Sequence, residues 1–443
     1  MPENVLIHDA TIVTMDKENE QNIIRGNIHI SNGWITNISP PGSAESCPDV
    51  ANINNTYLID GTDLIIMPGM VNTHGHSSMS LFRGYADDLP LMKWLKKRIW
   101  PLEFKLTPKD IYWGTMLSIV EMIRSGTTTF ADMYFNMDQV ATAVQESGMR
   151  AVLSQSMAGV IGMKTISYRA TRSLIENWQG AANGRIKIIL GPHAVYTCPP
   201  DYLKKVLRLA DKKDIPIQIH VSETRREVDN CLYKHGLTPV ELLESLGLFE
   251  RQVLCAHCVH LTDEDIQLLA QKNIGVAHNP TSNLKLGAGI APVAKMLEAG
   301  IGLGLGTDGA ASNNNLDMFQ EMHLATLLPK GNGENPSLMP AQVALEMGTF
   351  RGAEILFWDD VGKVKPGYRA DLIGINKSLP HLTPLHQVES HLVYSASGAD
   401  VELSIIDGNI LMEKGKLLTV DEEKIMYEAD ACASRLTGHK ITI

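Results

Sequence analysis

The sequence predicts an α/β fold, a (β/α)8 TIM-type barrel carrying a small β-sandwich domain built from both termini. Three observations point there. From Leu64 onward, short β-branched apolar runs alternate with helical patterns over roughly three hundred residues, the texture of βα units around a parallel sheet. Eight such strand candidates occur, which suits a closed barrel, and no G-x-G-x-x-G turn opens a helix as an open dinucleotide-binding sheet would require. Both ends of the chain read instead as short strands joined by turns. The expected division is 1–63 for the N-terminal part of the sandwich, 64–363 for the barrel, and 364–443 for the C-terminal part with a terminal helix.

In chain order, Val5–Met15 is the first strand, and Asn27–Ser31 with Trp34–Ile38 make a hairpin around Asn32-Gly33, a strong two-residue turn signal. The barrel strands are expected at Leu64–Asn72, Thr127–Met133, Ala151–Ser154, Ile186–Leu190, Ile215–Val221, Val253–Ala256, Ile274–Ala277 and Ile301–Gly306. In the last, the alternation Gly302-Leu303-Gly304-Leu305-Gly306 reads as a strand packed close to other backbone rather than as a phosphate loop. Strand texture returns at Asp371–Ile375, Leu392–Tyr394, Val401–Ile406 and Asn409–Glu413, and Asp421–Arg435 is expected as the closing helix.

Composition narrows the function classes. Among 443 residues, 39 basic and 50 acidic side chains give a net charge of −11, with no block of five Lys or Arg. Nucleic acid and anionic membrane are therefore poor partners. No run of 18 apolar residues occurs and the N-terminus lacks the pattern of a secretory signal, so the expected location is cytoplasmic. Six scattered cysteines do not make a disulfide framework, and Cys255 with Cys258, in an apolar run, reads as a pair of buried free thiols.

In a βα barrel the working residues lie at the C-terminal ends of the strands. Polar groups of ligand and acid–base type end these apolar runs repeatedly. Strand one ends in His74-Gly75-His76, whose imidazoles at i and i+2 share one side of an extended chain. Strand five ends in His220, with Glu223 just beyond it, where a carboxylate beside activated water can move a proton. His193 follows strand four, His257 strand six, His278 strand seven, and Asp308 strand eight. Singly, each has an ordinary reading as a core histidine, a helix cap or a turn residue. Their recurrence on strand after strand points to one metal centre in which three histidines and a carboxylate leave a position for water. The chemistry expected is metal-assisted hydrolysis.

The run Pro68–His76, with His220 and Asp308, resembles the amidohydrolase superfamily. Within it, Ser77–Pro90 (SSMSLFRGYADDLP), His220–Glu223 (HVSE), Ala256–His260 (AHCVH) and His278–Asn315 (HNPTSNLKLG, GTDGAASNNN) are similar to the 5′-methylthioadenosine/S-adenosylhomocysteine deaminases. The resemblance extends over nearly the whole chain, including Gly362–Leu372. It implies that His74, His76, His220 and Asp308 bind one divalent metal, usually zinc, with iron as the alternative. No lysine ends strand four to bridge a second ion. It further implies that Glu223 carries a proton to the purine ring nitrogen, that Asp308 accepts one from the water, and that His257 orients the nucleophile. Glu103 would bind the ribose hydroxyls, His193 would contact the nucleoside, and Trp94 would pack on the substrate or else in a helix core.

One departure stands out. The family can carry an arginine after strand three for the amino-acid carboxylate of S-adenosylhomocysteine, and here Ser154–Ala158 contains none. Arg169 or Arg172, further on, is the candidate substitute; without one, methylthioadenosine or adenosine is favoured. The competing readings are a free-base deaminase acting on guanine, 8-oxoguanine or cytosine, a triazine hydrolase of the same superfamily, and an inactive barrel kept as a scaffold. Glu103 and Glu223 argue against the first two, and the complete ligand set argues against the third. The expected partner is a small nucleoside. The sequence does not choose between a monomer and a homo-oligomer.

Overall fold

A computed structural model describes residues 2–16, 22–42, 56–159 and 164–438. The strands at the two termini join in one nine-stranded sheet. In chain order they are β1 (Asn4–Val13), β2 (Ile23–Ser31), β3 (Trp34–Ser39), β4 (Thr56–Asp60) and β5 (Leu64–Pro68), and, after the barrel, β15 (Leu372–Asn376), β16 (Val401–Ile406), β17 (Asn409–Glu413) and β18 (Lys416–Leu417). β5 pairs with β15 antiparallel and with β1 in parallel, so the two ends of the chain meet there. Their apolar residues, among them Ile7, Ile28, Ile66 and Leu403, form a core separate from that of the barrel. The hairpin β2–β3 turns at Asn32 and Gly33, whose φ values of 50° and 84° are the left-handed pair a two-residue turn demands.

The barrel strands are β6 (Met70–Asn72), β7 (Thr127–Tyr134), β8 (Arg150–Met157), β9 (Ile186–Ile188), β10 (Gly191–Pro192), β11 (Ile217–Val221), β12 (Val253–His257), β13 (Gly275–His278) and β14 (Leu303–Leu305). They pair in parallel as two sets, β6 to β10 and β11 to β14. Backbone bonds close the ring at both seams: Gln218 N–H donates to Leu190 O at 2.8 Å, and Thr73 N–H donates to Leu305 O at 2.8 Å. Glycine makes the second seam possible. A Cβ on Gly306 would lie 2.5 Å from Asn279 Oδ1 and 2.9 Å from the His74 nitrogen, so the close backbone approach read from the glycine alternation is present.

Two expectations change. Leu64–Asn72 is not one strand: it breaks at Gly69, where a Cβ would collide with the Thr128 side chain at 2.1 Å, and only Met70–Asn72 joins the barrel. Leu392–Tyr394 is not a strand but the end of a helix, Val388–Tyr394, which buries Val388 and Leu392 one turn apart. The closing helix is present as Glu422–Thr437, capped by Asp421. Cys255 and Cys258 are buried free thiols. Among the described residues no helix is long and apolar enough to cross a membrane.

The barrel and the terminal sheet are pinned by a buried ion pair. Arg150, at the start of β8 and 1% exposed, forms a bidentate pair with Asp371 through Nε at 2.6 Å and Nη2 at 3.0 Å, and reaches Asp407 at 3.3 Å.

Candidate metal centre and substrate cavity

The strand ends converge as the sequence predicts. His74 is buried beyond β6, and its ring centroid lies 5.0 Å from that of His76, 4.8 Å from that of His220 and 5.5 Å from that of His257. Asp308 Oδ1 lies 3.1 Å from His76 Nε2 and 3.8 Å from His74 Nε2. Two overlapping sets of ligand atoms, His74/His220/His257 and His74/His76/Asp308, each fall within 4.8 Å.

Hydrogen bonds fix which ring nitrogen faces the centre. His76 Nδ1 lies 2.7 Å from Met133 O and His220 Nδ1 lies 2.7 Å from His193 O. A carbonyl only accepts, so both Nδ1 atoms carry a proton and both Nε2 atoms turn inward. His257 Nδ1 is committed to Asn283 Oδ1 at 2.9 Å. His74 Nε2 is buried without a hydrogen-bond partner among the described residues. Such an orphaned acceptor is costly unless something else fills its lone pair.

The electrostatics agree. Burial, reinforced by neighbouring imidazoles, holds His74 and His220 well below the ordinary histidine range, so both are neutral and ready to ligate. Burial alone would raise the Asp308 carboxyl, but the hydrogen bond and charge of His76, with His257 and His74, hold it well below the carboxylate range. Burial pulls His76 down, and Asp308 with Asp132 pushes it up to about 9, so its Nε2 holds a proton against Asp308 that a bound ion would displace. Three inward imidazoles, one ionised carboxylate and an unpartnered nitrogen fit a divalent ion.

Two of these residues occupy strained backbone. His257 has φ 73° and Asp308 φ 62°, in the left-handed region that costs a residue with a side chain about 1–3 kcal/mol. Asp308 is held by donors on every side: Ser282 Oγ–H at 2.6 Å and Ser312 Oγ–H at 3.1 Å to Oδ2, and Gly309 N–H at 2.9 Å to Oδ1.

The cluster floors a cavity of about 390 Å³, the size of a small-molecule site. Glu223 lines it, and burial raises its carboxyl. Its backbone N–H donates to Glu227 Oε2 at 3.0 Å. Glu103 lines the cavity from the helix Trp100–Glu103, and its Oε1 accepts from the Tyr134 hydroxyl at 2.7 Å. His193 lines it too, held neutral by burial, its pKa pushed down to about 4. Trp94 is 4% exposed, its Nε1–H donates to Ala86 O at 3.0 Å, and it forms part of the cavity wall.

Arg169 and Arg172 are not brought in. Both are exposed on the helix Lys164–Trp178, away from the cavity wall. His278 is buried beside the cluster but does not reach the cavity. Sequence reading missed Tyr134 and Asp132, although both close strand β7 and the strand-end rule applied elsewhere would have flagged them. It also missed Asn283 and Ser282, whose partners lie 26 residues away, and Ser312, four residues past Asp308 on the same turn.

With this geometry in place, comparison with known proteins is informative. The Amidohydrolase family profile matches residues 65–411. A 5-methylthioadenosine/S-adenosylhomocysteine deaminase of Pelotomaculum thermopropionicum is 51% identical over 438 residues, 99% of this chain and 100% of the relative. A deaminase of the same description from Syntrophomonas wolfei is 55% identical over 384 residues, 86% of this chain and 89% of the relative. The crystal structure of an adenosine deaminase from Xanthomonas campestris with bound zinc superposes with a TM-score of 0.93 at 32% identity, covering 99% of this chain and 100% of that one.

Proposed function

The chain belongs to the amidohydrolase family, and from that premise we propose that it hydrolytically removes the 6-amino group of adenosine-type nucleosides, giving the inosine analogue and ammonia. The observation that carries the reading is the pairing of a buried three-histidine and aspartate cluster with Glu223 and Glu103 on one small cavity.

His74, His76, His220 and Asp308 would hold the ion. Bound there, a divalent ion supplies a water whose pKa falls from about 15.7 towards 7, and an imidazole-rich set suits zinc first and iron next. The remaining work falls to the chain. Glu223 takes one proton from the attacking water and delivers it to the ring nitrogen beside carbon 6. Asp308 takes the second, which leaves with the amine. The water oxygen bonds to carbon 6, the carbon–nitrogen bond breaks, and the protons balance as ammonia and an N1–H. His257 orients the water through Nε2, since Nδ1 is bound to Asn283. Glu103 accepts from the ribose hydroxyls, and His193 contacts the nucleoside. Burial of Glu223 supports its part, because a carboxyl raised above its usual range is a stronger base towards water than an exposed one.

The cavity also supports a preference. Leu91, Leu95, Trp100 and Phe104 line it, and no Arg or Lys does among the described residues. Such a wall suits the methylthio group of 5′-methylthioadenosine better than the charged amino-acid tail of S-adenosylhomocysteine. The test is ammonia release with zinc supplied from methylthioadenosine, S-adenosylhomocysteine, adenosine, guanine and cytosine. Turnover of the adenosine compounds, methylthioadenosine fastest, is expected. Activity on a free base alone would overturn the substrate reading, and a strong preference for S-adenosylhomocysteine would overturn the reading of the wall.

A further inference from the structure

The deaminase reading leaves unused a buried carboxylate on the outer side of the cluster. Glu321 sits on the helix Met318–Asn332, is 0% exposed, and does not line the cavity. Its Oε1 accepts from Asn313 Nδ2 at 2.7 Å and its Oε2 from the Thr281 backbone N–H at 3.2 Å. Thr281 immediately precedes Ser282, and Asn313 immediately follows Ser312. These are the two serines that donate to Asp308 Oδ2, at 2.6 and 3.1 Å. Asn313 Nδ2 also donates to Thr307 O at 2.8 Å, one residue before Asp308.

We infer that Glu321 is a positioning residue for Asp308. It ties the two short helices that carry Ser282 and Ser312, Pro280–Lys285 and Ala310–Asn313, so that both serines hold Oδ2 and only Oδ1 faces His76 and His74. Asp308 needs this help because its own backbone is strained, at φ 62°, and a carboxylate free to rotate would present either oxygen. A purely structural account fares worse. Burial pushes the Glu321 carboxyl up to about 7, with the bonds to Thr281 and Asn313 offsetting only part of the penalty. A neutral side chain would fill the space at lower cost. A neutral amide has one accepting atom, so it cannot take Asn313 on one terminal atom and the Thr281 N–H on the other as the carboxylate does.

The inference rests on the assigned reaction only for the part Asp308 plays in it, and the ligand geometry can be tested without turnover. Glu321→Gln puts an amide N–H₂ against the Thr281 N–H or against Asn313. The zinc affinity of the metal-free protein, measured by competition with a chelator, should fall roughly 10-fold or more, the range for partners that orient ligands. In the zinc-loaded enzyme, kcat for methylthioadenosine should fall by a similar factor while KM stays within about twofold, since Glu321 touches no substrate. The melting temperature should not fall. The double variant with Ser282→Ala should lose no more than the worse single variant, because both changes release the same carboxylate oxygen. Wild-type zinc affinity in Glu321→Gln, or losses that multiply in the double variant, would overturn the inference. If Glu321→Gln does not fold, Asn313→Ser removes the Nδ2 that joins Glu321 to the helix of Ser312, together with its bond to Thr307 O, and wild-type zinc affinity in that variant would equally overturn the inference. A wild-type enzyme silent on every nucleoside would sink the assigned reaction, and the zinc-affinity measurement would still decide the role of Glu321.

Discussion

Glu223→Gln separates proton movement from everything else the site does. The two side chains are nearly isosteric, and Glu223 is not among the groups whose ligand atoms converge on the centre. No protein hydrogen bond to its carboxylate is found among the described residues, so the amide breaks no contact. What is lost is the exchange of a proton, which is worth about 10²–10⁴ in rate, or about 2.7–5.4 kcal/mol at 1.36 kcal/mol per tenfold. The expected result is a fall in kcat of that size with metal content unchanged. The pH profile should change with it. Burial raises the Glu223 pKa, so the acid limb of the wild-type rate lies above the ordinary carboxylate range, and the variant should lack that limb. Stability moves the other way. A carboxyl whose folded pKa exceeds its unfolded pKa contributes stability that is fully present below the unfolded value and lost as pH rises through the folded one. Ionising the buried Glu223 is therefore a net cost, and Glu223→Gln should gain stability relative to wild type as pH rises from 4 to 8. The assay is ammonia release at saturating methylthioadenosine, with metal content by elemental analysis and thermal melts at both pH values. A variant with full metal and a kcat within tenfold of wild type would refute the role of Glu223.

Other expectations follow from the same geometry. Prolonged chelation should abolish turnover and lower the melting temperature, because the orphaned His74 and the ionised Asp308 lose their common partner; zinc should restore both. Retained activity in protein shown to be free of metal would remove the ion from the reaction. Glu103→Gln should raise KM for methylthioadenosine about tenfold with a smaller change in kcat, as expected for a charged hydrogen bond to the ribose; an equal penalty on adenine, which has no ribose, would show that Glu103 does not read the sugar. Arg150→Ala should cost about 3–5 kcal/mol in denaturant unfolding, because it strands Asp371 at 1% exposure. Activity per folded molecule should survive that change, since the pair lies on the face of the barrel turned towards the terminal sheet.

The convergence of polar groups at the strand ends was legible because it obeys a local rule. His74, His76, His220, His257 and Asp308 each end an apolar run that must be buried on both faces, and a polar group in that position needs a reason to be there. The change of texture between barrel and terminal strands was legible because helix-length spacers separate the barrel strands, although Leu64–Pro68, expected in the barrel, pairs in the terminal sheet. The errors came where length misleads. Leu64–Asn72 looked continuous because both halves are apolar, yet Pro68-Gly69 marks the step from the terminal sheet to the barrel, and Gly69 is there because Thr128 occupies the space of a Cβ. The run Leu392–Tyr394 has β-branched and aromatic content but belongs to a helix whose buried face, Val388 and Leu392, shows only when the window begins four residues earlier.

What the sequence conceals is how the reactive groups are held. Asp308 is supported by Ser282, Ser312 and Gly309, and those supports are braced by Glu321 through Thr281 and Asn313. No spacing rule links residues 281 and 321, because the short helix after β13 meets a helix after β14 only when the parallel order of those strands is set. The strained φ of Asp308 explains why so many bonds converge there. A ligand in an unfavourable backbone conformation keeps its place only if its surroundings over-determine it. The same logic covers His257, whose φ of 73° is held beside the Cys258 N–H to Val221 O bond at 3.0 Å while its ring is fixed by Asn283. The sequence shows which atoms reach the centre. Their orientation is decided by neighbours that only the closed barrel brings within reach.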